Sequence, residues 1–405
     1  MMWHQIRSNR NRSIVLVIVM GVVLLLIGYF LGLSFLNSGE VGLIIALIIW
    51  TILNLIAYFQ GDSIILSMSR ARKISRDDHP RLYNVVEEMK IASGLERMPD
   101  IYIIDDPAMN AFATGRDPKK ASVAVTSGLL QKLNRDELQG VIGHELAHIN
   151  NRDVLLMAMC SVLLGTIVIL SWYASRFMLF GGMSGSRRSS SSGGGGGAQL
   201  IIFIVAIVLM ILAPIFAQFI YFAISRKREY LADASSALYT RYPEGLASAL
   251  EKIGASTYQL KSASKATAPM YIINPFREKG MAANDLTSTH PPISERIRIL
   301  RSMAGAAYSD YDAAYKQVHR IGGGAIPASE ITAVGAIPIR AASSVVKEKD
   351  TAEDQIQRTR ETSNLMWQLN NYRTIDCECG TRLRIPPNLR NVNIRCPHCG
   401  KQHSV

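Results

Sequence analysis

The chain is 405 residues long, carries a formal net charge of +12 and is 48% hydrophobic. That length admits two or three folded units, but the apolar residues are gathered into long uncharged runs, which excludes one ordinary soluble domain. The positive charge needs no nucleic acid, because basic residues flanking membrane spans and facing anionic lipid account for much of it.

The first two uncharged runs are Ile14 to Leu36 and Val41 to Phe59. Each has about the 20 residues that a helix needs to cross the hydrocarbon core. No small-residue cleavage site follows the first, which is also longer than a signal-peptide apolar region. The turn Asn37-Ser38-Gly39-Glu40 leads straight into the second, so residues 1–60 read as a membrane hairpin. Val154 to Ser175 and about Leu200 to Ile224 predict a second hairpin over 154–225. Its loop holds SGSRRSSSSGGGGG (184–197), whose composition is that of a flexible linker. Arg7, Arg10 and Arg12 precede the first span, Arg70, Arg72, Lys73 and Arg76 follow the second, and Arg226, Lys227 and Arg228 follow the fourth. The first turn has no Lys or Arg. This bias predicts a multi-pass protein of the cell (inner) membrane with both termini and the 60–153 segment in the cytoplasm.

Residues 61–153 form the first part of a predicted catalytic domain. His79-Pro80 opens a helical pattern through Leu82, Val85, Val86 and Met89 that ends near Gly94. IYII (101–104), NAFATG (110–115) and ASVAVTS (121–127) read as strands of a small antiparallel sheet. Asn134, with Glu137 three residues later, resembles a capping box, and Leu138, Val141, Ile142, Leu146 and Ile149 recur at helical spacing. On this helix stands GHELAHINNRD (143–153). Four residues apart, His144 and His148 share a face and can bind one cation. Glu145 points about 100° away round the helix, beside water activated by that cation, where it can act as general base. H-E-x-x-H is the zinc-metalloprotease signature. Three fixed positions also recur by chance in long chains, so context matters: the helix is well patterned, and Gly143 and Ala147 are small enough for another element to approach.

Residues 226–320 form the second catalytic part. RKREYLADASS (226–236) places Glu229 and Asp233 four apart on one helix face. One carboxylate can bind zinc while the other orients a ligating histidine; taken alone, the two acids also read as offsets for Arg226 and Arg228. Helices are expected over Lys227–Tyr239, Pro243–Ile253 and about Pro292–Met303. Residues 321–371 read as a linker containing a charged helical piece. In the tail, 372–405, Cys377-x-Cys379 and Cys396-Pro-His-Cys399 predict a zinc ribbon, two cysteine turns joined by a short β hairpin around a structural zinc. Cysteines on the cytoplasmic side favour metal over disulfide. His398 or His403 can substitute as a ligand, and zinc would supply much of the tail's folding energy. Cys160 lies inside a span as a small apolar filler.

Two N-terminal spans, H-E-L-x-H running into a third, R-E-Y-x-A-D after a fourth, MNAFATG (109–115) and STHPPISERI (288–297), in that order, resemble the HtpX family of membrane zinc metalloproteases, relatives of the CAAX prenyl endoproteases. The resemblance covers roughly residues 1–305. It implies that His144, His148 and Glu229 bind the catalytic zinc, that Glu145 is the general base and that Asp233 supports the site. It also places His290 near the active site, where it can donate to the tetrahedral oxyanion or merely open a helix before Pro291. Asn110 heads a strand that can pair with an extended peptide substrate, although a lone Asn is more often a turn residue.

The fold expected is therefore mainly α: four transmembrane helices, a zincin-like α+β catalytic domain and a C-terminal zinc ribbon. The function expected is endopeptidase cleavage of membrane or misfolded proteins in quality control or stress response. The alternative is a catalytically silent, membrane-anchored adaptor acting through its ribbon, which an intact Glu145 argues against. Processing of prenylated substrates ranks below both, since four spans are few for the chamber of those relatives. Oligomeric state is not legible.

Overall fold

The computed structural model describes residues 2–154, 226–256, 258–260, 270–273, 290–331, 335, 337–341, 351–389 and 393–404, with Trp172 and Ile215. The predicted third and fourth spans, the Gly/Ser-rich loop and Cys160 lie outside the described residues.

Two long helices, α1 (Met2–Leu36) and α2 (Gly39–Met68), open the chain. Only two residues separate them. Asn37 takes a left-handed φ of 52°, and Ser38 caps α2 by accepting from the Val41 N–H. The helices meet backbone to backbone: a Cβ on Gly42 would fall 2.2 Å from the Gly28 carbonyl oxygen, and one on Gly28 would fall 2.3 Å from Ala46 Cβ. Small residues at four-residue spacing permit such approach between membrane helices. Among the described residues, one helix is long and apolar enough to cross a membrane, through its Gly39–Ile56 stretch of mean hydropathy 2.2. Leu43, Ile44, Ile48, Ile52 and Leu55 point outward from it, as lipid contact requires. The shorter apolar stretch Gly21–Leu33 lies in α1. α2 does not stop with the apolar run but continues to Met68, where Ile65 and Leu66 pack against Phe112 and Tyr271.

The small sheet differs from expectation. It contains β1 (Arg72–Lys73), β2 (Asp100–Ile104), β3 (Ala111–Gly115) and β4 (Ala121–Thr126) in the order β1-β2-β4-β3. It is mixed rather than antiparallel: β2 runs parallel to β4, with Ile101 opposite Val123 and Ile103 opposite Val125, while β1–β2 and β3–β4 are antiparallel. The loop 105–110 carries the chain past the place that β4 will fill, so β3 becomes the edge and β4 returns between its neighbours. β4 is buried at all six positions, as befits a strand covered on both faces.

α3 (Pro80–Ser93) starts at an N-cap His79 and ends at Gly94, with φ 72°. α4 (Ser127–Lys132) leads into α5 (Arg135–Asn150), whose Asn134–Glu137 capping box forms as predicted. The helices 226–240, Pro243–Ala255 and Ile293–Arg301 follow the expected pattern. A further helix, Tyr308–His319, was not expected. α5 runs through the centre of the main core, and a Cβ on its Gly140 would fall 2.6 Å from the Leu246 nitrogen.

The segment read as a linker lies against this body. Ala306 N–H donates to the Ile337 carbonyl at 2.8 Å, and the helix Ala352–Leu369 buries Leu365 and Met366 in the main core. In the tail, β5 (Arg373–Asp376) pairs with β6 (Arg382–Ile385), and β7 (Asn393–Arg395) pairs with β8 (Gln402–Ser404). Among the described residues, no single hairpin joins the two cysteine turns. Each turn closes its own hairpin, with Gly380 and Gly400 at φ 82° and 77°, values that suit glycine.

Candidate active site

Every residue of α5 from Asp136 to Ile149 is buried. His144 Nε2 and His148 Nε2 lie 3.2 Å apart. Glu229, from helix 226–240, completes a triangle, with Oε2 3.5 Å from His144 Nε2 and Oε1 3.5 Å from His148 Nε2. A tetrahedral cation with nitrogen and oxygen bonds of about 2.0–2.2 Å spaces its ligands by roughly 3.3–3.5 Å, so the donor set fits zinc in both chemistry and spacing. Glu145 Oε1 and Glu229 Oε2 are buried without a hydrogen-bond partner, although Arg296 NH1 stands 3.5 Å from the latter. Buried carboxylate oxygens left in this way are costly, and a cation at the triangle would relieve the cost.

The far side of each imidazole is also engaged. His144 Nδ1 lies 3.0 Å from Asp233 Oδ1, and His148 Nδ1 lies 3.3 Å from Asp153 Oδ2. Each acid then meets an arginine. Arg296 is fully buried and donates twice to Asp233, Nε at 2.8 Å and NH2 at 2.6 Å. Arg228 NH1 stands 3.0 Å from Asp153 Oδ1, an ion-pair contact without hydrogen-bond geometry. Arg296 also donates to the Ile272 carbonyl at 3.1 Å, and the Tyr311 hydroxyl reaches Asp233 at 3.5 Å. Asp233 thus stands where the sequence put an orienting acid. Asp153, Arg228, Arg296 and Tyr311 were missed as site residues. The first three sit inside or beside quoted motifs, and an acid five residues past His148 was the available signal; Tyr311 lies beyond every motif.

The electrostatics favour positive charge at the triangle. Burial works against a protonated His148, but Asp153 and Glu229 outweigh it and hold the ring up to about 10. His144 is raised for the same reason, by Asp233 and Glu229 against burial. Burial would raise Glu229, yet the surrounding histidines keep its carboxyl well below the usual range. A potential that draws a proton also draws a cation, which displaces the proton on binding. Burial pushes the Glu145 carboxyl up, against the pull of His144, His148 and the Ala113 backbone N–H of β3.

His290 is buried with Nε2 3.8 Å from Glu229 Oε1, and burial drives its pKa down to about 4. Asn110 is buried at the head of β3. Its Nδ2 donates to the Ile273 carbonyl at 3.0 Å and its Oδ1 accepts from the Ala111 N–H at 3.1 Å, so the side chain ties the edge strand to residues 270–273.

The four predicted cysteine ligands are also brought together. The sulfurs of Cys377, Cys379, Cys396 and Cys399 lie within 4.8 Å of one another, with Cys377–Cys399 at 3.5 Å and Cys379–Cys396 at 3.7 Å. Zinc–sulfur bonds of about 2.3 Å imply sulfur separations of roughly 3.8 Å. His403 Nε2 stands 3.2 Å from Cys377 Sγ.

The model of peptidase family M48 matches residues 75–304. A "Protease HtpX homolog" of Dictyoglomus turgidum is 46% identical over 301 residues, covering 74% of this chain and 94% of that protein. One from Lactobacillus helveticus is 43% identical over 304 residues, covering 75% of this chain and all of that protein. One from Streptococcus uberis is 39% identical over 303 residues, again 75% of this chain and all of that protein. Among solved structures, the crystal structure of S. mikatae Ste24p is similar at a TM-score of 0.39 and 20% identity, covering 74% of this chain and 66% of that one.

Proposed function

The chain belongs to peptidase family M48, and on that premise we propose that the His144–His148–Glu229 triangle holds the catalytic zinc of a membrane endopeptidase. The observation that carries the reading is the triangle's ligand spacing with the buried Glu145 carboxylate beside it. Zinc bound there would supply Lewis acidity, polarising the scissile carbonyl and making water acidic enough to attack near neutral pH. The rest is the work of the chain. Glu145, from which burial disfavours a lasting charge, takes the proton of the attacking water and passes it to the leaving amine. His290, kept neutral by burial, donates a hydrogen bond to the developing oxyanion. Asp233 and Asp153 fix the tautomer and tilt of the two ligating rings. The edge strand β3 aligns an extended peptide across the site by adding it as a further strand, while Asn110 holds the head of that strand in place.

We assign the protein to the cell membrane with four spans and with its termini and active site in the cytoplasm. The continuous α2 helix and the basic clusters at the predicted span ends support this topology. Membrane proteins and misfolded chains reaching that face are the substrates, which fits quality control. The four cysteines hold a second, structural zinc.

The test is proteolysis of casein by the detergent-purified full chain, with zinc, with a chelator, and beside Glu145→Gln. Zinc-dependent cleavage that the variant loses by at least about 100-fold, while still binding metal, is the expected result. Equal inertness of both proteins with zinc bound would sink the peptidase reading.

A further inference from the structure

The C-terminal extension bears on the catalytic helices through one side chain. Residues 337–341 lie across the ends of α5 and helix 226–240 that are remote from the metal ligands. There Arg340 Nε donates to the Thr240 carbonyl at 2.7 Å, at the C-terminal end of the helix that carries Glu229. Its NH2 donates to Asp136 Oδ1 at 2.9 Å and to Gln139 Oε1 at 2.8 Å, both in the first turns of the helix that carries His144 and His148. The guanidinium lies over the Tyr242 ring, 5.2 Å from its centroid. The Arg340 N–H donates to the Arg241 carbonyl at 2.9 Å, which docks the backbone as well.

One planar group therefore bolts the two ligand-bearing helices together. Its acceptors suit a cation: the carbonyl end of a helix carries partial negative charge, Asp136 is a carboxylate, and Gln139 offers an amide oxygen. The fork geometry is specific to arginine, because a lysine ammonium cannot reach three such acceptors and stack on a ring at once. Arg340 also lies outside the stretch that the family model matches, residues 75–304. Its partners Asp136, Gln139 and Thr240 are inside that stretch, so the bolt is an addition to the family's domain.

We propose that Arg340 is a positioning residue that sets the separation of the two metal-binding helices, so that the C-terminal extension preorganises the catalytic zinc site from behind. The proposal rests on the assignment of zinc to His144, His148 and Glu229. Small shifts matter there, since a tetrahedral site tolerates ligand displacements of only a few tenths of an ångström.

The experiment compares the full chain in detergent with Arg340→Met, which keeps the apolar stem, and with Arg340→Lys. Metal affinity at the histidine site is read with cobalt(II), whose weak visible bands at a His/Glu site are separable from the thiolate charge-transfer bands of the cysteine site. R340M is expected to weaken cobalt binding at the histidine site by about 10-fold and to lower kcat by a similar factor, with KM changed less than about 2-fold and the thiolate bands unchanged. R340K should fall between the two proteins. If R340M lowers only the unfolding temperature and leaves metal affinity and kcat alone, Arg340 is merely a surface staple and the proposal is overturned. Should R340M not fold, Asp136→Asn gives the same readout from the other side of the contact, with a loss of about 3-fold expected and no loss overturning the idea. Histidine-site cobalt bands that survive His144→Ala would instead overturn the zinc assignment itself.

Discussion

A ligating imidazole has two nitrogens, and whatever holds the second decides how well the first meets the metal. His148 relies on Asp153, and Asp153 meets Arg228, all three buried. Asp153→Asn should weaken zinc binding by about 10- to 100-fold, measured by competition with a chromophoric chelator. It also strips Arg228 of its carboxylate, and removing one partner of a buried pair costs more than removing both. The double variant Asp153→Asn/Arg228→Met should therefore unfold at a higher temperature than Asp153→Asn alone; the reverse order would show that Arg228 does not depend on this pair. A second residue-scale prediction concerns His79. Its Nδ1 caps α3 by accepting from the Leu82 N–H, its Nε2 is buried without a partner, and burial lowers its pKa from the ordinary 6.5. A depressed histidine pKa means that its stabilising effect is complete above pH 6.5 and declines as the pH falls toward the folded value, because the unfolded chain then binds more protons. Melting curves between pH 7.5 and 5 should fall less steeply for His79→Asn, a cap that does not titrate; parallel curves would refute the linkage. The residue scale was partly legible in the sequence. His144 with His148, and Glu229 with Asp233, could be paired because helix geometry makes residues four apart neighbours, and the family resemblance implied that the two pairs and Glu145 share one site. Arg296 could not, because 152 positions separate it from His144 and only the fold joins them.

Elements were read well where a single periodicity defines them and poorly where pairing does. α3, α5 and the helix Pro243–Ala255 follow from apolar spacing and caps. The parallel β2–β4 pair does not, because alternation within a strand says nothing about which strand lies beside it, and the two-residue β1 is too short to carry a pattern. The α1–α2 hairpin shows what an element contributes beyond its span. α2 is one helix from its apolar stretch to Leu66, which packs on Phe112 of β3. The membrane-spanning helix and the edge strand β3 are thereby joined without a hinge. The hairpin itself depends on the bare backbone at Gly28, Gly32 and Gly42. Gly42→Leu should force the helices apart at a cost of roughly 1–3 kcal/mol, seen as a lower unfolding temperature in detergent and faster cleavage of α1 by an added protease. A wild-type melting curve for this variant would mean that the close contact contributes nothing to the fold.

At the scale of the whole molecule, the question is which parts stand or fall together. Among the described residues, the main core of the body reaches from α3 to the helix Ala352–Leu369, with a smaller cluster around Ile65, Phe112 and Tyr271. Among the described residues, the ribbon buries only Cys377, Leu383, Ile385 and Cys396 of its apolar side chains, too little to fold on apolar burial alone; a metal held by the four cysteines would supply the rest. The ribbon's boundary at 371/372 was legible in the sequence, but the docking of residues 321–371 on the body was not. Residues 321–371 look like a tether because they are rich in small residues and turn formers, yet Leu365, Met366 and Arg340 fasten them to the body through contacts with residues far away in the chain. The true seam lies after that helix, near Asn370, which donates to Asp105 at 3.2 Å, and the ribbon leans back on the helix through Arg384 over the Trp367 ring. The double variant Cys396→Ser/Cys399→Ser should accordingly lose the ribbon alone. Trypsin should then trim the tail at the arginines beyond Tyr372, while the main melting transition moves by no more than about 2 °C, since a local loss outside the cooperative core leaves the core's stability in place. Casein cleavage should persist within about 3-fold, because the strap that carries Arg340 is held by the body and not by the ribbon. If both the melting transition and activity collapse with the cysteines, the ribbon is a structural part of the catalytic unit, and the seam must be placed elsewhere.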